Sequence, residues 1–357
     1  MEKLNPWGSE TIKDYEKAFK EFGVSKITDN LKLNHHLFKR NIIIAHRDFD
    51  KIIKHIKEKK PFIQMTGIAS SGKLHLGHKI DIDLFLFLKK FKTKNYFCIS
   101  DIDGYVSRDK IKSLQQAKEF AVENLSHTLA LGLTKKDIYL QSKKEPRYYE
   151  FAFELSKKIT KNMFEAVYGH LNLGKISANL LQYADILHPQ LKEYEGNMPS
   201  LTSIGLEQDP HSRIVRDLSK RLGYNLEVPS FLYFKHQTGL LKDKKMSASE
   251  PDTAIFLDDS EEEIKRKINK AYSGGRDSTE EHRKLGGVPE KDKAFEILLY
   301  HHPNSNFVTK IYNNYKSGKL LSRELKKMCI EFLINFLKKH QQKLKTTRKI
   351  AEKIVFS

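Results

Sequence analysis

Apolar positions fall into two regimes along the chain. Up to about residue 234 short apolar runs alternate with helical spacing, and from about residue 260 onward only helical spacing remains. Residues 61–66 predict a short apolar strand, and 67–72 (GIASSG) a small-residue loop. A helix follows, its stripe running through Leu76, Ile80, Leu84, Phe87, Leu88 and Phe91. Residues 95–100 (NYFCIS) and 137–141 (DIYLQ) predict two more strands, with a helix over Leu114–Leu131 between them. This βαβαβ order implies a parallel sheet with right-handed crossovers. Residues from about 147 to 190 read as mostly helical, and strands return at Ser200–Gly205 and 228–234. Between those strands Asp209 and Pro210 supply an N-cap and an N1 proline for a helix that buries Ile214, Val215, Leu218 and Leu222. Ahead of the alternation, 11–22 has helical spacing and 48–59 predicts a helix opened by an Asp48 N-cap. The expected organisation is an N-terminal extension (1–60), a parallel-sheet α/β unit (61–256) and an all-α C-terminal unit (257–357).

Composition narrows the function classes. The 357 residues exceed what one core usually organises, and 39% apolar content rules out disorder. No apolar run approaches the roughly 18 residues that span a bilayer, and the first residues lack a signal-peptide pattern, so a soluble cytoplasmic protein with no membrane partner is expected. Cys98 and Cys329 are too few and too far apart for a disulfide framework or a zinc ribbon, and no structural zinc is expected. His75 and His78 lie three apart without the carboxylate of a zinc-protease motif. The neighbours His35–His36 and His301–His302 are expected to point in different directions. The net charge of +19 suits a polyanionic partner, but surface solubility accounts for it equally well.

Two segments carry chemistry. In TGIASSGKLHLGH (66–78) a glycine- and serine-rich turn delivers the chain to a helix N-terminus at the carboxyl edge of a parallel sheet. Free backbone N–H groups and the helix dipole favour phosphate there. The spacing is neither that of a P-loop nor GxGxxG. His75 and His78, at i and i+3, address one ligand, and Gly77 is expected to leave that face bare for a flat base. The second segment, KDKKMSASE (242–250), is a lysine-bearing small-residue loop beyond a strand that can close over a triphosphate; its plainer reading is an exposed charged loop.

HLGH followed by KMSAS (245–249) resembles the paired signatures of class I aminoacyl-tRNA synthetases. The similarity extends to the tryptophanyl branch of archaea and eukaryotes over nearly the whole chain. It includes NPWG (5–8), AHRDFD (45–50), GLEQDPHSRIVRDL (205–218) and SGGRDSTEEHRKLGG (273–287). The resemblance implies a Rossmann-type catalytic domain with a helical dimer-forming insertion near 150–190 and an α-helical anticodon-binding domain at the C-terminus. It implies ATP with Mg²⁺ and L-tryptophan as substrates, tRNA(Trp) as acceptor, and a homodimer. ATP would be held by Gly67, Ser71, His75, Gly77, His78, Lys245, Met246, Ser247 and Ser249, with His75, His78 and Lys245 acting in catalysis.

The tryptophan pocket implied by the resemblance comprises Met65, Asp103, Gln182, Asp185 and Gln208, with Asp103 set for the ammonium group. Met65 and Cys98 stand where eukaryotic relatives carry a tyrosine and a glutamine for the indole N–H, and both accept hydrogen bonds poorly. Asp185, in NLLQYADIL (179–187), resembles the aspartate that accepts the indole proton in bacterial tryptophanyl enzymes, and is expected to take that role. Ile68 replaces an arginine common after the TG pair, and Lys73 is a candidate substitute. Competing readings are a tyrosyl-tRNA synthetase, against which EQDPH and SGGRD speak, and an inactive RNA-binding paralogue, against which both intact signatures speak.

Overall fold

A computed structural model describes residues 15–169, 172–242, 246–248 and 250–357. Trp7, Lys245 and Ser249 lie outside the described residues. In chain order the N-terminal part forms α1 (Tyr15–Phe22), β1 (Ser25–Lys26), α2 (His36–Lys39), β2 (Ile43–Arg47) and α3 (Phe49–Lys57). The alternating region contributes β3 (Phe62–Ala69), α4 (Leu76–Leu88), β4 (Thr93–Ser100), α5 (Asp101–Ser107), α6 (Leu114–Leu131), β5 (Ile138–Leu140) and α7 (Pro146–Ser156). It continues through α8 (Lys161–Tyr168), α9 (Leu173–Leu187), β6 (Ser200–Gly205), α10 (Asp209–Arg221) and β7 (Ser230–Phe234). The helices α11 (Glu261–Lys270), α12 (Thr279–Leu285), α13 (Lys293–His301), α14 (Ser305–Lys316) and α15 (Ser322–Phe356) follow. Among the described residues no helix is long and apolar enough to cross a membrane.

The sheet runs β1-β2-β7-β6-β3-β4-β5, with β7 through β5 parallel and β2 and β1 antiparallel at one edge. β3 sits centrally because its residues tolerate burial on both faces, as a continuous apolar run in a parallel sheet requires. The chain leaves β3 towards β4 and β5 on one side and returns to β6 and β7 on the other. The crevice between the carboxyl ends of β3 and β6 is therefore a topological switch point, where open α/β sheets bind ligands.

Several sequence expectations need correction. β3 extends through Ala69, so Gly67, Ile68 and Ala69 belong to the strand rather than to a loop. Residues 25–47 add two strands to the sheet, which short polar flanks had hidden. Gln208, not Asp209, occupies the N-cap position of α10. Asp48 precedes α3 in a left-handed conformation without capping it, and its carboxylate pairs with Arg216 at 2.8 Å. The helix α5 was not foreseen.

Apolar packing links the segments. One cluster joins Ile68, Leu76, Ile82 and Leu125 of the α/β region to Leu298, Leu333 and Leu337 of the C-terminal helices. Another packs Leu37, Phe38, Ile43 and Ile52 against Ile80, Leu84 and Leu201.

Burial of histidines makes this packing acid-sensitive. Desolvation depresses His78 and His127 to about 4 and His188, His211 and His340 to about 3, and lowers His75 and His301 too. Between pH 6.5 and these values the unfolded chain takes protons that the folded chain refuses. Stability is therefore full above pH 6.5 and falls as pH drops. His78 alone accounts for roughly 3 kcal/mol at the acid end. Asp81 and Asp185, both raised to about 6 by burial, act in the opposite sense but are outnumbered. Denaturant titrations at pH 7.5 and 5 should show a loss of several kcal/mol, and equal midpoints would refute this account.

Candidate active site

The two imidazoles of HLGH stand at the start of α4, which follows the carboxyl end of β3. His75 is the N-cap of α4, and its Nδ1 accepts from the Gly77 N–H at 3.1 Å. His78 Nδ1 accepts from the His75 N–H at 3.2 Å, completing a reciprocal cap, and the ring centroids lie 4.0 Å apart. With both Nδ1 atoms accepting, each ring carries its proton on Nε2. Burial holds both rings neutral near pH 7. The site thus presents uncharged N–H donors at a helix N-terminus, the chemistry that receives a phosphate oxygen without a fixed charge.

Gly77 serves a different purpose from the one expected. A Cβ there would stand 2.9 Å from the His75 ring, so the missing side chain lets His75 fold back over the helix start. Met246 approaches the same point, its sulfur 3.9 Å from that Cβ position. Ala248 lies 3.1 Å from where a Gly72 Cβ would be, so the described part of KMSAS abuts both the HLGH helix and the loop before it. Residues 254–257 fix this approach from behind, since the Leu76 N–H donates to Ile255 O and the Leu257 N–H to Leu74 O. The Ser247 N–H donates to Thr253 Oγ1 at 3.1 Å.

A cavity of about 450 Å³ opens between these loops, lined by Ser71, Gly72 and Ala248 together with Lys73, Lys110 and Lys267. Lys73 pairs with Asp258 at 2.5 Å and Lys267 with Asp259 at 2.7 Å. Lys73, the candidate substitute for the arginine, is in a half-exposed ion pair with Asp258 that a phosphate would have to compete with. Lys110 Nζ lies 3.8 Å from the Gly72 Cβ position and has no carboxylate within ion-pair distance among the described residues. Its place after α5 gave no signal in the sequence.

Of the proposed tryptophan residues only Met65 is on the sheet; Asp103 is on α5, Gln182 and Asp185 on α9, and Gln208 follows β6. Gly67 is exposed on β3, and a Cβ there would strike Cys98 at 2.7 Å, which keeps β3 and β4 close and the floor open. Met65 is buried on the same strand. Gln182 and Asp185 share one face of α9. The Asp185 carboxylate accepts from Tyr139 at 2.8 Å, Tyr148 at 2.6 Å and Gln141 at 2.8 Å. The Gln141 side-chain oxygen in turn accepts from the Asp103 N–H at 2.9 Å, so one glutamine bridges Asp103 and Asp185. Burial raises the Asp103 carboxyl, and no ion pair to it is present among the described residues. Tyr139, Gln141 and Tyr148 were missed. Polar residues at i and i+2 on an apolar strand, DIYLQ, were the available signal.

Gln208 lies beyond β6, in the turn that leads into α10, next to a densely bonded aspartate. Asp209, fully buried, accepts from Arg47 at 2.9 and 3.1 Å and from Tyr233 at 2.7 Å. Arg47–Asp209 and Asp48–Arg216 thus tie AHRDFD to the GLEQDPHSRIVRDL segment. Just above, His236 pairs with Glu207 across Gly205.

A family model for class I tRNA synthetases (W and Y) matches residues 57–338. The chain is 40% identical to the tryptophan–tRNA ligase of Methanocaldococcus jannaschii, across 99% of this chain and 98% of that one. Its identity to the same ligase of Aeropyrum pernix is 38%, with the same coverage. The crystal structure of the A. pernix tryptophanyl-tRNA synthetase superposes with a TM-score of 0.90 at 37% identity, covering 96% of each chain. That of Plasmodium falciparum superposes at 0.86 with 30% identity, covering 96% of this chain and 95% of that one.

Proposed function

We infer what this chain does from the family to which it belongs, the class I tRNA synthetases of the tryptophan and tyrosine type. Its reaction is tryptophan–tRNA ligation. L-Tryptophan is activated by ATP to tryptophanyl-adenylate, pyrophosphate leaves, and the tryptophanyl group passes to tRNA(Trp). The observation that carries this is full-length similarity to tryptophan enzymes together with an intact HLGH pair at the start of α4. The tyrosine alternative is not favoured.

In the site reading proposed here, the tryptophan carboxylate attacks the α-phosphate, and the protein positions the reactants and stabilises charge without supplying a nucleophile. His75 and His78 donate Nε2–H groups to phosphate oxygens, Gly67 and Ser71 allow close backbone approach, and Gly77 leaves room for the His75 ring. Met246 and Ser247, with Lys245 and Ser249 beyond the described residues, form the closing loop. Mg²⁺ travels with the nucleotide. Lys110 supplies the cation that Ile68 cannot. In the pocket Asp103 meets the ammonium group, and Gln182 and Gln208 orient the substrate beside Met65. Asp185 Oδ2, which accepts one hydrogen bond among the described residues, retains room for the indole N–H.

The enzyme is further proposed to be a cytoplasmic homodimer, with the boundaries given above. Phe153 and Leu173, 75% and 81% exposed in the 150–190 segment, are consistent with a covered face. The basic outer face of α15 suits tRNA backbone contact.

The decisive experiment is amino-acid-dependent exchange of pyrophosphate into ATP without tRNA. Exchange with tryptophan and not tyrosine is expected; exchange with tyrosine alone would overturn the substrate assignment. In the same assay Lys110→Ala should raise the KM for ATP about tenfold, the worth of one charged contact, and Lys110→Arg should restore it. Arg47→Met should cost about 2 kcal/mol of stability by removing two charged hydrogen bonds from buried Asp209, which keeps Arg213, Ser212 and Tyr233. It should also raise the KM for tryptophan through Gln208 while kcat changes less. A normal KM in the destabilised variant would reduce Arg47 to a purely structural part.

A further inference from the structure

His35, His36, His301 and His302, expected from their spacing to point apart, instead converge on one cavity of about 580 Å³. That volume lies within the range of small-molecule sites. The cavity forms where α2, α4 and the C-terminal helices meet. Its wall on α4 is Lys79, Asp83 and Leu86, spaced i, i+4 and i+7, and Lys90 follows just past the helix end. This stripe starts one turn past His75 and runs away from it, Leu86 lying about 16 Å of helix rise beyond His75, so the cavity is set off from the imidazole pair along the helix axis.

Its chemistry is aromatic and cationic. Phe87, Phe332 and Phe336 line it; Lys90 Nζ stands 5.7 Å from the Phe87 ring and Lys79 Nζ 5.1 Å from the Phe336 ring. Lys79 is paired with Asp83, the one carboxylate among the lining residues. Lys90 and Lys339 have no carboxylate within ion-pair distance among the described residues. His35 stacks on Phe87 with centroids 4.5 Å apart, and His302 lies 5.1 Å from Phe332. Burial keeps these imidazoles neutral near pH 7, so they extend the aromatic wall without adding charge. Buried His35 Nδ1 and His301 Nδ1 have no hydrogen-bond partner among the described residues.

We propose that this cavity is a second nucleotide site, separate from the ATP site at His75 and His78, that stacks a base on Phe332 and Phe336 and holds its phosphate with Lys90 and Lys339. Flat rings beside unneutralised lysines match both halves of a nucleotide. The nucleotide comes either free or as an unpaired residue of bound RNA. An occupant bridges α4 to α15, and so connects the helix bearing HLGH to the C-terminal helices.

The test titrates the fluorescent nucleotide N-methylanthraniloyl-GMP into the full chain saturated with tryptophan and a non-hydrolysable ATP analogue. Saturable binding is expected, weakened at least tenfold both in the pair Lys90→Glu with Lys339→Glu and in Phe332→Leu. Tryptophan-dependent pyrophosphate exchange should stay within twofold of the parent. If the probe does not bind but both variants lose at least tenfold in tRNA affinity, the nucleotide belongs to RNA. Complete displacement of the probe by the ATP analogue overturns the proposal. So does unchanged affinity for both probe and tRNA in the variants. Because exchange is read separately, its failure in the parent protein would count against the catalytic reading and not against this cavity.

Discussion

Replacing His78 with alanine should lower kcat for tryptophan-dependent pyrophosphate exchange by about 10²–10³, the usual loss when one pre-oriented donor to a developing oxyanion is removed. The KM for tryptophan should move only a few-fold. The expectation rests on tautomer and charge. His78 Nδ1 is occupied by the His75 N–H, so its proton points outward from Nε2, and burial holds its pKa at about 4. Two substitutions separate this role from the structural one. His78→Asn keeps an acceptor near Nδ1 and so keeps the cap, worth about 1 kcal/mol, but lacks the outer N–H. His78→Gln places an N–H near Nε2. Asparagine should therefore restore stability without activity, and glutamine should recover part of the activity. If asparagine restored full activity, the histidine would be a cap and nothing more. Because protonation lies near pH 4, His78 should contribute no limb to the activity profile between pH 6 and 8.

The second large effect concerns Asp185. Its replacement by alanine should destabilise the fold by about 3–5 kcal/mol, because Tyr139, Tyr148 and Gln141 would each lose their acceptor in a buried site. The same change should reduce discrimination of tryptophan over phenylalanine at least tenfold, the worth of one hydrogen bond to a charged acceptor. Burial raises the Asp185 pKa to about 6, above its value of about 3.9 in an unfolded chain. That difference favours folding at low pH and is lost as pH rises through 6, so an ionised Asp185 at pH 7 costs stability. A purely structural acceptor carries no reason to bear that cost, whereas an acceptor for a substrate N–H does. Kinetic selectivity measured below the melting temperature of Asp185→Ala distinguishes the two. Unchanged selectivity in the folded variant would leave Asp185 as a structural anchor only.

Both predictions show where local pattern stops being informative. Periodicity gave Leu114–Leu131 and Ser200–Gly205 their bounds and gave β3 and α4 their order, because apolar repeats and turn residues act over a few positions. The signatures at 75–78 and 245–249 resemble those of class I synthetases, and the longer matches at 205–218 and 273–287 carried the resemblance to the tryptophanyl branch. Long-range pairings were not legible in the same way. Arg47 finds Asp209 across 162 positions, and His127 finds His340 across 213. Neither partner carries a mark in its own neighbourhood. β2 is a strand because β7 offers an edge to pair with, and β1 because β2 in turn offers one, not because their own residues demand it.

The sequence by itself determined the alternation that builds a parallel sheet, the helix start that carries the imidazoles and the charge that suits a polyanion. Tertiary structure alone decided which imidazole nitrogen keeps its proton, which lysines remain unneutralised and which donors converge on Asp185. It also decided that the four dispersed histidines share one cavity. The physical reason is that these properties depend on burial and on the distance between charges. Both are set by how distant segments pack, and neither is encoded within a few residues of the group concerned.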